Sequence, residues 1–513
     1  MSYFSHPLSS RHEEIRLSAV AVLFFGFLCH GYRWLNAAFS GDATLVSQAG
    51  EEAYQISLGR FLQPLWWNVR GAITAPFLIG LFCLFFLTFS CVLTVHILQL
   101  KTRSSVILTC GILTASETLG LSNATYLPWA DVYMLSLSLA LLGAYLSLYG
   151  SRIYRHLAPL CYAVLLGLYQ SYLPCAAAII VIALIAEVVR GKNTLEIWRL
   201  GTVAILHLVA GLLLYAVALR IVLYLFGISA SADYNGVGRV SLLSLSDLIR
   251  YATEAWLTPI RFLFSPRDRL LIPWHVSQIP KLLNLAVLLL SLSLVFVGKQ
   301  NSTSSFLTIT FLLLILPFSA NFVMVISQGV VNGLMMYAWY FLYLLPIPLL
   351  ECQSRHMCRN SVLHSCAGLL TAAYILANII SCNTMYLKRD LEYAATHSAV
   401  TRILSHMEEN EGYISGETPV VIVGVLPSSQ IAMIRPGMED ISAVQGMRYT
   451  YGASYETSTY WYLTTILGAQ LNLVTHDERV RLTKETKEIQ NISRFPEEGC
   501  AAMIDGRLFF RLN

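Results

Sequence analysis

Charge is scarce in this chain. Only 12% of its 513 residues are Asp, Glu, Lys or Arg, whereas 56% are hydrophobic and the mean hydropathy is +0.60. Soluble domains carry about 25% charged residues, so the deficit excludes a water-soluble globule, and most of the chain must be solvated by lipid. A net charge of +4 is too small to argue for a nucleic-acid partner. The 11 cysteines are scattered, mostly inside apolar runs, with no CxxC pair and no His/Cys cluster along the sequence. That pattern reads as thiols buried as small hydrophobes in preference to a disulfide framework or a zinc site. There is no P-loop, GxSxG or HExxH, and no DxD in a cytoplasmic soluble domain, so nucleotide chemistry of the soluble kind is not expected. Internal repeats and low-complexity segments are also missing. The run Leu17–Leu28 has no small-residue cleavage signature after it and reads as a retained first span.

What is present is a series of long apolar runs. Spanning a bilayer takes about 20 apolar residues, which gives about eleven candidate spans: 16–35, 72–98, 104–121, 128–149, 156–171, 173–189, 199–226, 281–298, 305–323, 331–350 and 361–386. The run 157–189 is divided at Gln170; the alternative is one long kinked span, which inverts everything downstream. Lys and Arg favour cytoplasmic connections. With the N-terminus inside, those connections hold Arg11 and Arg16, Lys101 and Arg103, Arg152 and Arg155, Arg190 and Lys192, Lys299, and Arg355 with Arg359. The short outer turns 122–127 and 324–330 hold none. The fold expected is therefore an all-α polytopic membrane bundle over 1–386, with large outer loops 36–71 and 227–280.

The acids are unevenly placed, 16 of 30 lying from Asp390 onward. Residues 387–513 read as a small extracytoplasmic α/β domain: a helix over 391–407, a strand over 420–425, a second helix over 455–470, and a hairpin 501–512 turning at Asp505-Gly506 with type I′ geometry. The stretches 54–70 and 242–264 mix tryptophans, aliphatics and charges and read as amphipathic helices lying in the interface.

Five acids carry the chemical argument. Asp42, in the first outer loop, is either a solvated capping acid or a general base that deprotonates an acceptor hydroxyl. Glu51 and Glu52 are rivals for that role, although both open a helix and complement its dipole. Glu117 and Asp131 lie inside apolar stretches near the outer ends of adjacent spans. Intramembrane acids are expensive and usually line a cavity; the other reading is hydrogen bonding between helices. Arg60, Arg239, Arg261, Arg267 and Arg269 fall on the outer side against the usual bias. A guanidinium grips phosphate through two donors, and snorkelling to native lipids competes with that reading. Tyr169 and Gln170 are placed to bond a sugar, or to cap a turn.

The chain resembles the bacterial GtrII-type glucosyltransferases, membrane enzymes of the GT-C class, over nearly its whole length. The resemblance is carried by Asp42 with Gly59-Arg60, Glu117 with Asn123 and Asp131-Val132-Tyr133, and Leu166-Gly167-Leu168-Tyr169-Gln170-Ser171-Tyr172. In the tail it continues through Val420-Val421-Ile422-Val423-Gly424 and Met503-Ile504-Asp505-Gly506. It implies transfer of glucose or a similar sugar from an undecaprenyl-phosphate carrier to a cell-envelope polysaccharide, as in O-antigen modification, at the outer face of the cytoplasmic membrane. It also puts the catalytic acid on Asp42. Many GT-C enzymes show paired acids there. Gly41-Asp42-Ala43 has one, leaving Glu51, Glu52 or Glu117 as sources of a second carboxylate. Metal and cofactor are not expected, because arginines can carry the positive charge opposite a monophosphate leaving group. A lipid-linked sugar flippase and an envelope polysaccharide polymerase or ligase are the competing functions.

Overall fold

The computed structural model describes residues 10–38, 51–231, 244–264, 282–283, 285–293, 303–329, 331–354, 361–424, 460 and 462–512. It divides into two compact units, Met1–Ala37 with Val46–Thr384, and Ala38–Leu45 with Met385–Asn513.

The first unit is helical. α1 (Arg11–Leu35) begins where the Ser10 side chain accepts the Glu13 N–H, with Glu13 and Glu14 in its first turn to complement the dipole. α2 (Glu51–Ser57) and α3 (Gln63–Val69) are short. α4 (Pro76–Leu98) starts with proline, whose missing N–H costs nothing there, and ends on Gln99 in the left-handed region. α5 (Arg103–Thr114) and α6 (Glu117–Thr125) follow, then α7 (Ala130–Tyr149), α8 (Ala158–Tyr169), α9 (Leu173–Val189) and α10 (Thr194–Phe226). α11 (Leu245–Phe264) and α12 (Thr303–Ser319) come next, and α13 (Ser361–Glu408) runs on past the end of this unit at Thr384. α4 packs on α1 and α7, α8 on α7 and α10, α9 on α12, and α11 on α12.

Among the described residues, seven stretches are long and apolar enough to cross a membrane: Arg11–Leu35, Pro76–Leu98, Arg103–Thr125, Leu127–Tyr149, Tyr154–Val189, Thr194–Phe226 and Ser365–Glu408. The chain is thus a helical membrane protein. Thr303–Ser319 is apolar but shorter. The break expected at Gln170 is present. Tyr169 is extended (φ −158°) and residues Gln170–Tyr172 form one 3-10 turn between α8 and α9. The helix expected over 331–350 is not one. Residues Tyr337–Leu344 form a 3-10 run, followed by a short helix Pro346–Ser354. Crowded aromatics disfavour the α-form and Pro346 cannot continue it, and the run is buried by its neighbours.

Some of the connections expected on the inner side carry ion pairs and hydrogen bonds to acids. Arg103 pairs with Glu13, Gln99 bonds Glu187, and Glu187 also pairs with Arg190 and Lys192. The Glu351 carboxylate accepts from the backbone N–H of Lys101 and Thr102 just before α5. Arg103, Arg190 and Lys192 thus each have a carboxylate beside them, so those charges are neutralised locally.

The third span is interrupted. Ala115 and Ser116 separate α5 from α6 and free carbonyl groups that a bilayer cannot satisfy. Side chains from distant segments take them: Tyr337 donates to the Leu113 carbonyl at 2.5 Å and His30 to that of Thr114 at 2.9 Å, while Cys382 adds a weak contact at 3.7 Å to the Ser116 carbonyl, which already accepts the Gly120 N–H.

The second unit holds a four-stranded sheet ordered β2-β1-β4-β3, with β1 Pro419–Val423, β2 Asn472–Leu473, β3 Ala501–Ile504 and β4 Arg507–Arg511. β1 lies parallel to β2 and β4, while β3 and β4 form the expected antiparallel hairpin. Asp505 (φ +48°) and Gly506 (φ +72°) both take the positive φ that a type I′ turn needs. One face of the sheet buries Val420, Ile422, Leu508 and Phe510 against Ile403, Met407 and Phe495. The helix expected over 391–407 is the end of α13 and not a separate element. Of the helix expected over 455–470, the described residues give one π-type turn, Tyr462–Ile466. Helix α14 (His476–Glu485), capped by Thr475, was not foreseen; it is short and mostly charged, and has almost no apolar periodicity to read.

Candidate active site

The stretch 54–70, expected as one amphipathic helix, is not continuous. Gly59 breaks it with φ +81°, and an added Cβ would collide with the Tyr215 hydroxyl and press on the Gln170 amide at 3.0 Å. Only glycine meets both demands. The segment is stitched to the α8–α9 turn. Leu62 N–H donates to the Gly167 carbonyl (2.9 Å) and Gln63 Nε2 to that of Leu168 (2.8 Å). Gln170 Nε2 donates to the Leu58 carbonyl and the Tyr215 hydroxyl (both 3.1 Å), and Tyr215 in turn donates to the Gly59 carbonyl at 3.1 Å. Gly59-Arg60 and the Gly167–Tyr172 stretch, more than a hundred residues apart in sequence, therefore form one assembly.

Arg60 is held inside it. Its guanidinium lies over the Tyr169 ring, 4.9 Å from the centroid, and Nη1 donates to Gln55 Oε1 at 3.3 Å. Gln55 in turn donates to the buried Glu51 carboxylate at 2.7 Å. Glu52 is exposed. A stacked and tethered guanidinium is pre-oriented, with less rotamer freedom left to lose when an anion arrives.

Asp131 is fully committed. Oδ1 accepts from Arg70 Nη1 (2.8 Å) and the Val132 N–H (3.0 Å), and Oδ2 accepts from Trp66 Nε1 (2.9 Å). The two side chains of the Arg70–Asp131 pair have no exposure, and Arg70 also donates to the Pro128 carbonyl at 2.8 Å. A carboxylate with both oxygens engaged this way braces residues 66–70 against α7.

Glu117 differs. Tyr340 donates to its Oε2 at 3.1 Å, whereas Oε1 is buried with no hydrogen bond among the described residues, although the Ser381 hydroxyl lies beside it. Ser381 Oγ and Asn378 Nδ2, one turn apart on α13, are likewise buried without hydrogen bonds. Such a cluster of unmet polar atoms marks a place where water or a hydroxylated ligand would be stabilised.

Tyrosines connect the two acids' surroundings to Arg60. Tyr133 lies 4.4 Å from Tyr169 between centroids, Tyr169 5.7 Å from Tyr172, Tyr172 5.5 Å from Tyr337, and Tyr337 6.4 Å from Tyr340. Tyr343 is 6.3 Å beyond Tyr340 and lines an apolar cavity of about 190 Å³ with Trp256, Ile260, Leu263, Val287 and Leu316.

Of the other candidates, Asp42, Arg239, Arg267 and Arg269 lie outside the described residues. Arg261 is exposed on α11 and pairs with Glu254 at 2.9 Å. Arg33 and Arg70 were missed. Arg33 donates to the carbonyls of Asn123 and Asn36, each at 2.8 Å, while Trp34 bonds the Asn123 side chain. Both arginines fall on the predicted outer side, the criterion that selected Arg60. Tyr340 and Gln55 gave no such signal, being unremarkable residues in an apolar run and a polar helix.

No curated protein and no solved structure matches this chain. Residues 36–350, more than half of its length, match the family described as Glucosyl transferase GtrII. That stretch holds the Arg60 assembly, Asp131 and Glu117 together, and this chain belongs to the GtrII family, making it a membrane glycosyltransferase.

Proposed function

We propose that the protein transfers glucose, or a close relative, from an undecaprenyl-phosphate carrier to a cell-envelope polysaccharide at the outer face of the cytoplasmic membrane. The observation that carries this reading is the alignment, along one run of tyrosines, of a fixed cation (Arg60), a carboxylate with an unused oxygen (Glu117) and an apolar cavity. A lipid-linked sugar phosphate needs those three environments: a guanidinium for phosphate, polar and aromatic groups for the sugar, and an apolar channel for isoprenoid. Arg60, assisted by outer arginines such as Arg239, Arg261, Arg267 or Arg269, would hold the phosphate and stabilise the charge that grows as it leaves. An acceptor hydroxyl attacks the anomeric carbon from the opposite face while the carbon–phosphate-oxygen bond breaks. Its proton passes to a carboxylate, the anomeric centre inverts, and the lipid phosphate departs with the bonding pair. Asp42 is the proposed base; Glu117 supplies the second carboxylate, and Asp131 with Arg70 holds the outer segment in place.

Purified protein in detergent, supplied with radiolabelled polyprenyl-phosphate glucose and acceptor, tests the reading. Transfer by the wild type that is lost in Asp42→Asn supports it. Full transfer by Asp42→Asn removes that residue from the mechanism, and carrier movement across vesicles without any transfer overturns the enzyme reading.

A further inference from the structure

The break between α5 and α6 also gathers three soft ligands. Cys29 and His30 of α1 and Cys382 of α13 bring their ligand atoms within 4.8 Å of one another, and all three residues are fully buried. The sequence hides this group, because Cys29-His30 and Cys382 are hundreds of residues apart.

The chemistry of the set is specific. His30 Nε2 faces the Thr114 carbonyl at 2.9 Å. A carbonyl only accepts, so Nε2 carries the proton and Nδ1 the lone pair. Metal-bound histidines are oriented in this way, with the second ring nitrogen donating to a backbone carbonyl or carboxylate. Around a tetrahedral zinc-class ion, with metal–sulfur bonds of about 2.3 Å and metal–nitrogen bonds of about 2.0 Å, neighbouring ligand atoms lie roughly 3.5–3.8 Å apart. The observed spread accommodates that.

We propose that Cys29, His30 and Cys382 form a binding site for a thiophilic divalent ion of the zinc class. Charge selects the valence. Two thiolates and a neutral imidazole carry −2, which a divalent ion cancels and a monovalent ion does not, and a low-dielectric interior penalises any remainder. Binding converts two thiols to thiolates and releases two protons. Cys382 then gives up its weak contact with the Ser116 carbonyl, which keeps the Gly120 N–H at 3.0 Å as its partner. The ion would clasp α1 to α13 at the interrupted third span. Glu117 is near enough to Cys29 and Cys382 to interact with both electrostatically, so occupancy would also set the field at that carboxylate.

The full chain, purified in detergent from zinc-supplemented cells, is assayed for metal by mass spectrometry. Stripped protein is then titrated with Co²⁺ while the thiolate-to-cobalt charge-transfer band is followed. The expected result is about one ion per chain, a saturable band in the wild type, and loss of both in Cys29→Ser and in Cys382→Ser. Cys366→Ser, which removes an exposed thiol, keeps both. The wild-type titration alone decides the matter if a serine variant misfolds. A wild type without metal and without the band overturns the site, as does a Cys29–Cys382 disulfide in the intact mass, or metal retained by both serine variants.

Discussion

Removing the Asp131 carboxylate while Arg70 remains should be among the most damaging single changes in the membrane unit. In Asp131→Ala the guanidinium, which has no side-chain exposure, keeps only the Pro128 carbonyl among its recorded acceptors. Trp66 Nε1 loses its acceptor at the same time. An uncompensated buried charge costs about 3–5 kcal/mol, and the stranded indole adds about 0.6 kcal/mol, the scale of hydrogen bonds between membrane helices. A loss of about 4–5 kcal/mol corresponds to roughly a thousandfold change in the folded-to-unfolded ratio. Arg70→Ala should lose a similar amount. The double variant Arg70→Ala/Asp131→Ala removes both charges and should recover about 2–4 kcal/mol of the summed single losses. Detergent-driven unfolding in mixed micelles measures all four corners of the cycle. Additivity within about 0.5 kcal/mol, or a loss below about 1 kcal/mol in Asp131→Ala, refutes the brace.

Three further outcomes follow from the same geometry. Arg60→Ala should lower transfer about 10²–10³-fold, with Arg60→Lys recovering part because it restores charge but neither the fork nor the stack on Tyr169; equal rates for Lys and wild type would contradict the stacked phosphate clamp. Glu117→Gln, which still accepts from Tyr340, should keep its unfolding midpoint while transfer falls about 10²–10⁴-fold if that carboxylate moves a proton, and unchanged initial rates would assign it to packing. Gly59→Ala should cost about 1–3 kcal/mol through backbone strain and weaken donor binding more than turnover, as seen in the KM and kcat of donor titrations.

Much of the organisation was legible because it follows from solvent. Apolar length located the long helices. Extended backbone at Tyr169 matches the reading of Gln170 as a division point, since Pro174 and the polar Gln170-Ser171 pair spoil helical continuity there. The Asp505-Gly506 hairpin was readable for a similarly local reason: two consecutive positive φ values demand such residues. Segments 331–350 and 54–70 misled because composition reports which solvent a residue prefers and not whether protein or lipid provides it. Tyr337–Leu344 is buried by its neighbours, and Trp67 and Gln63 are buried in protein too. The pairing of Asp131 with Arg70, and of Glu117 with Tyr340, depends on contacts across 61 and 223 positions, for which a single sequence carries no local signal.

The interrupted third span bears on biogenesis. Its Leu113 carbonyl is answered by Tyr337, which leaves the ribosome 224 residues later, roughly 10–45 s at translation speeds of about 5–20 residues per second. Until then the nascent segment carries a peptide group that hydrocarbon tails cannot satisfy. Insertion machinery, trapped water or a provisional neighbour must shelter it meanwhile, and chains stalled short of Tyr337 are the ones that membrane quality control should recognise.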